Sequence, residues 1–113
     1  MEDCLFCKII KGEIPSTKVY EDEYVYAFLD IAPQAPFHAV VVPKTHIDSA
    51  AQIDAQNSLH VAKIYEAIAK IAKDENLEKG FRVVINCGED GGQTVGHLHF
   101  HLLARRYLQW PPG

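Results

Sequence analysis

The stretch His97-Leu98-His99-Phe100-His101-Leu102-Leu103 constrains this chain more than any other. Three histidines alternate with large apolar residues, which is the period of a β-strand with one buried face. At about 3.3 Å per residue, His97, His99 and His101 stand on one side, roughly 6.6 Å from one to the next. Leu98, Phe100 and Leu102 then point into a core. Four readings compete for such a stretch: a His-rich strand edge, a transition-metal site, a patch for polyanions, and catalysis. Catalysis fits best. A neutral imidazole attacks phosphorus well, and its neighbours can serve as proton donor and phosphate contact.

With 113 residues the chain has room for one domain and one ordinary core, taken as residues 1–113. Its net charge of −4 leaves no electrostatic footprint for nucleic acid, so an anionic ligand needs a local site. No apolar run is long enough to span a membrane, and Met1-Glu2-Asp3-Cys4 does not begin a signal peptide. The cysteines number three, which argues against a disulfide framework and for a reducing, cytoplasmic setting.

Read in order, residues 1–12 hold a short helix over Cys4 to Lys11, with Leu5, Ile9 and Ile10 available for one side, ended by Gly12 and Pro15. Lys18–Tyr20 and Tyr24–Leu29 form a hairpin around Glu21-Asp22-Glu23. Asp30 to Pro36 is a loop because its two prolines cannot join a ladder. Phe37–Pro43 is a central strand carrying His38. Asn57–Asn76 is the long helix, with Val61, Ile64, Tyr65, Ile68, Ile71 and Ala72 in one stripe and His60 beside it at the surface. Phe81–Asn86 is a strand, followed by Cys87, expected to be buried, and by a flexible glycine loop over residues 88–96. The order predicts an α+β fold with a mainly antiparallel sheet.

The glycine loop runs straight into the histidines. Main-chain N–H groups of Gly92, Gln93 and Thr94 and the Thr94 hydroxyl suit an anion under imidazole attack, although such a loop is also an ordinary connection. Cys4-x-x-Cys7 is open to three readings: a redox pair, half of a zinc site, or an incidental spacing.

The histidine stretch matches the motif His-φ-His-φ-His-φ-φ of the histidine triad (HIT) superfamily. More of the chain resembles its Hint branch: Phe6-Cys7-Lys8-Ile9-Ile10, Ile14-Pro15, Phe28-Leu29-Asp30-Ile31, Pro33-Gln34-Ala35-Pro36, His38, Pro43-Lys44, His46, Asn86, Gly91-Gly92-Gln93-Thr94-Val95 and Trp110-Pro111-Pro112-Gly113. The resemblance implies a HIT-like fold: a five-stranded, mainly antiparallel sheet with one long and one short helix, the sheet extended across a homodimer. It implies a hydrolase of purine nucleoside 5′-phosphoramidates, with an AMP- or GMP-type ligand. His99 would attack the α-phosphorus and form a nucleotidyl-histidine. His101 would contact the phosphate and help the amine depart, with His38 and His97 completing the cluster.

By the same resemblance, Asp30 and Ile31 meet the nucleoside, and Asn86, Gly92, Gln93 and Thr94 line the phosphate. Trp110, in the tail 105–113, reaches the partner's site. The reaction needs no metal, and Cys4, Cys7, His46 and His97 would form a structural zinc site, as in some bacterial members. Two rivals share the motif: a dinucleoside polyphosphate hydrolase, and a nucleotide-sensing or scaffold protein with vestigial turnover. A metalloenzyme using the triad as ligands is a third. The chain departs from the family pattern after the triad, where Ala104-Arg105 stands in place of a usual glycine pair.

Overall fold

The computed structural model describes residues 3–113; Met1 and Glu2, the start of the expected segment 1–12, lie outside the described residues. The elements are α1 (Leu5–Ile10), β1 (Lys18–Glu21), β2 (Val25–Leu29), β3 (Phe37–Pro43), a 3₁₀ turn (Ala50–Gln52), α2 (Ser58–Asp74), β4 (Phe81–Val84), α3 (Gly88–Gly91) and β5 (Phe100–Ala104). The strands form one sheet in the order β1-β2-β3-β5-β4, every pair antiparallel. This is the five-stranded antiparallel α+β arrangement that the sequence predicts.

The sheet separates two cores. On one face α2 lays Ile64, Ala67, Ile68 and Ile71 against Val25, Ala27, Ala39, Val41, Phe100 and Leu102. An isoleucine buried so completely contributes about 1.5–3 kcal/mol. On the other face α1 places Phe6 and Ile9 against Tyr26, Phe28, Val40 and Val42. Strand β3 is covered on both faces along its whole length, which is why it reads as an unbroken apolar run. His38 and His101 share the α1 face. Their registers differ by one pleat step, since His38 pairs with Leu103 and Val40 with His101.

Several expectations need correction. Strand β5 starts at Phe100, so His97 and His99 precede it; the Leu98 N–H goes to the Ile47 carbonyl at 2.6 Å instead of to a ladder. Strand β4 stops at Val84, short of Asn86. The glycine loop contains the helical turn α3, ended by Gly92 at φ +78°, a left-handed position that suits glycine. In α1, Leu5 faces out at 43% exposure while Phe6 and Cys7 are buried with Ile9. Tyr65 leaves the predicted stripe, 47% exposed although its ring meets the Phe100 ring at 5.6 Å. His60 is half-buried, its ring against Tyr24 and its Nδ1 without a partner among the described residues. Cys87 is exposed, because the chain has already left the sheet at Val84.

Candidate functional site

The protons on the histidines follow from partners of fixed polarity, since a backbone carbonyl only accepts and a backbone N–H only donates. His99 Nδ1 lies 2.7 Å from the His97 carbonyl, so Nδ1 carries the proton and Nε2 is left with a free lone pair. The Gln34 N–H donates to His38 Nδ1 at 3.0 Å, which puts the His38 proton on Nε2. That Nε2–H donates to His101 Nδ1 at 2.9 Å, so His101 keeps its own proton on Nε2. The site therefore pairs a nitrogen with a free lone pair on His99 with a donor N–H on His101, the two rings 5.1 Å apart between centroids. This is closer than the strand repeat predicts, because the His99 ring folds back onto the His97 carbonyl.

Burial holds His38 below the usual histidine range, opposed by the Asp30 carboxylate, whose Oδ2 lies 3.4 Å from His38 Nε2. Burial also lowers His101, reinforced by His99 and His38 and opposed by Asp30. Both rings are neutral at pH 7, as the assigned proton positions require.

The other expected nucleotide residues stand in differing surroundings. Asp30 is fixed by the Ala32 N–H, which donates to Oδ1 at 2.8 Å. Ile31 projects into solvent at 101% exposure. Asn86 is half-buried two residues past the end of β4. The Gln93 amide is already committed, its nitrogen donating to the Asp48 and Val95 carbonyls and its oxygen accepting from the Gly88 N–H. Thr94, with Leu5, His46 and Asp48, lines a cleft of about 650 Å³. Trp110 is 80% exposed near the chain end.

The side chain of His97 turns away from His101. Its Nδ1 lies 3.3 Å from Cys4 Sγ and 3.6 Å from Cys7 Sγ, while His46 Nδ1 lies 3.4 Å from Cys7 Sγ. All four ligand atoms fall within 4.8 Å of one another. In tetrahedral zinc, bonds of about 2.3 Å to sulfur and 2.0–2.1 Å to nitrogen make the S···N edge about 3.6 Å. The observed separations match that edge. Outer partners set both lone pairs inward: His97 Nε2–H donates to the Pro43 carbonyl at 2.9 Å, and His46 Nε2–H to Asp48 Oδ1 at 2.8 Å. Burial pushes the Cys7 thiol up, so a thiolate there calls for a neighbouring cation. The donor set fits zinc. Of the four histidines expected at the reaction, His97 offers its carbonyl to His99, and its imidazole faces Cys4 and Cys7.

Four residues important to these clusters escaped the sequence reading as site residues. Gln34, Pro43 and Asp48 set the histidine protons, and only Asp48 had a signal, lying two residues after His46. Phe6 is the fourth. It sits between Cys4 and Cys7 and meets His97 and His99 edge-on, at 5.9 and 5.0 Å between centroids.

Comparison with known proteins agrees with this architecture. The model of the HIT domain matches residues 11–108. A 14 kDa zinc-binding protein of Zea mays is 49% identical over 117 residues, covering 96% of this chain and 87% of that protein. Adenylylsulfatase HINT1 of Arabidopsis thaliana is 43% identical over 112 residues, covering 96% of this chain and 76% of that protein. The crystal structure of a HIT family hydrolase from Legionella pneumophila superposes with a TM-score of 0.95 at 47% identity, covering 98% of this chain and all of that one. The chain belongs to the HIT domain family.

Proposed function

We propose that this protein hydrolyses the P–N bond of purine nucleoside 5′-phosphoramidates through a nucleotidyl-histidine on His99. The observation that carries the reading is the pair of opposite protonation patterns, a free lone pair on His99 Nε2 and an N–H on His101 Nε2. In the first step the Nε2–P bond forms and the P–N bond breaks. The departing nitrogen takes the His101 proton, and the positive charge gained by phosphorylated His99 balances that loss. The His97 carbonyl stabilises this charge by accepting the Nδ1–H, while His38 donates to the deprotonated His101 ring. Water then attacks phosphorus, frees His99 and returns the proton.

Asp30 pairs with the ribose hydroxyls, Ile31 covers the base, and Asn86, Gly92, Gln93 and Thr94 surround the phosphate. Zinc on Cys4, Cys7, His46 and His97 ties α1 to the segment that precedes β5 and takes no part in the chemistry. A homodimer forms with β4 joining β4. Supporting this are the edge position of β4, the 44% exposure of Phe81, and the exposed Trp110, which reaches the second copy's site. The setting is the reducing cytoplasm.

The test is intact-protein mass spectrometry after mixing with an AMP phosphoramidate and rapid quenching. Wild type should show a transient adduct of one nucleotide. His99→Ala should show none and lose turnover by at least about 10⁴-fold. Turnover that survives in His99→Ala would overturn the nucleophile assignment. The relative named an adenylylsulfatase motivates a second substrate, adenylyl sulfate. Sulfate leaves without a proton, so His101→Ala should slow phosphoramidate cleavage far more than adenylyl sulfate cleavage.

A further inference from the structure

The turn after β5 performs work that the reaction scheme leaves unassigned. Arg105 has φ +74°, a left-handed conformation that side chains with a Cβ rarely adopt. Its guanidinium holds it there, with Nη2 donating to the Glu75 carbonyl at 2.8 Å and to Glu75 Oε1 at 3.2 Å. The same group lies over the Phe37 ring, 5.1 Å from its centroid. The pinned turn delivers Arg106 to the loop that begins at Asp30. Arg106 Nε donates to the Gln34 carbonyl at 3.0 Å, and its Nη1 donates to the Tyr107 carbonyl at 3.1 Å.

Gln34 is the residue whose N–H determines the His38 proton. Its carbonyl and N–H flank one α-carbon, so holding the first restricts rotation of the second. Its side-chain amide donates to the Ala32 carbonyl at 3.0 Å, and the Ala32 N–H reaches Asp30 Oδ1. One hydrogen-bonded path thus runs from Arg106 to Gln34 and Asp30, two of the groups that face the His38 ring nitrogens. We propose that Arg106 is a positioning residue for the His38–His101 pair. By clamping Gln34 it keeps the proton off His38 Nδ1 and on Nε2, where it meets His101. The turn that follows the His101 strand therefore also supplies, five residues after His101, the side chain that sets its partner. The proton assignment stands on these hydrogen bonds, and only its kinetic consequence rests on the proposed phosphoramidase reading.

Imidazole ¹⁵N spectra of the full-length, zinc-loaded protein test this at neutral pH. Wild type should show His38 as a single form with Nδ1 unprotonated. Arg106→Met keeps an apolar stem and removes every donor; its His38 nitrogens should move toward averaged values. Because Arg106 is exposed, the variant should melt close to wild type. Arg106→Lys restores a donor and should restore the wild-type spectrum. The kcat for the phosphoramidate should fall about three- to tenfold in Arg106→Met, the range of one net intramolecular hydrogen bond, while KM changes less than about twofold. An unchanged His38 spectrum in Arg106→Met would overturn the proposal, as would a perturbation that lysine fails to relieve. If wild type forms no nucleotidyl-histidine and turns over no phosphoramidate, the hydrolase reading falls, and the spectra still decide the role of Arg106.

Discussion

Two clusters built from nearly the same residue types lie on either side of the His97–His99 segment, and they are set for opposite chemistry. Cys4, Cys7, His46 and His97 form one; Asp30, His38 and His101 form the other, with ligand atoms just as close together. In the first, a carbonyl and a carboxylate accept the Nε2–H groups, so both Nδ1 lone pairs converge on one point. In the second, a backbone N–H occupies the Nδ1 lone pair of His38, and its remaining nitrogen carries a proton. A metal bound there would require His38 as an imidazolate. Proximity of histidines therefore does not make a metal site. The polarity of the group behind each ring decides between holding a cation and directing a proton.

The sharpest way to break the comparison is to damage one cluster and read both. Cys7→Ser should reduce bound zinc from one per chain to none. It should also cost at least about 3 kcal/mol of stability, a fraction of the about 10–16 kcal/mol that structural zinc supplies in zinc-finger peptides. His101→Ala should keep its zinc and its melting temperature while losing about 10²–10⁴ in phosphoramidate turnover. Zinc analysis, calorimetry and kinetics on both variants check the crossing. Loss of zinc in His101→Ala would show that the clusters are one site.

A smaller effect sharpens the role of the outer partners. Asp48→Ala removes the acceptor behind His46 and should weaken zinc binding about 10–100-fold in a chelator competition, leaving nucleotide adduct formation intact.

The smallest expected effect is on pH dependence. His38 and His101 titrate below their ordinary value when folded, each mainly through burial. Between the unfolded value of about 6.5 and the lower folded values, the unfolded chain binds more protons. Their stabilising contribution is thus complete above about pH 6.5 and is lost as pH falls through the folded values. Denaturant unfolding between about pH 5 and 7, at saturating zinc, should show stability rising with pH. The slope should be shallower in His38→Gln/His101→Gln. An equal slope in that variant would assign the pH dependence elsewhere.

Much of this was legible from residue order. The apolar partners of the triad, Leu98, Phe100 and Leu102, do enter the main core, and the run Phe37–Pro43 is the fully covered central strand. Isoleucines three and four apart on α2 marked the helix face correctly, because side-chain period follows from backbone geometry alone. The Cys4-x-x-Cys7 spacing left three readings open, and the fold brings His46 and His97 to complete a ligand set. Other features were not legible. Cys87 looks apolar by composition but follows a strand that ends early, and His60 is drawn in by Tyr24, 36 positions earlier in the chain.

The sequence by itself determined which side chains are present, which face the core residues of β3 and β5 and the isoleucines of α2 occupy, and that imidazoles would gather at the start of β5. Those properties come from local period and residue type. Only the tertiary structure decided what each imidazole can do. The carbonyl that directs His97 belongs to Pro43, 54 positions away, and the amide that directs His38 sits in a loop held by Arg106, 72 positions from it. A histidine offers two nearly equivalent nitrogens, and the proton goes where the folded backbone supplies an acceptor.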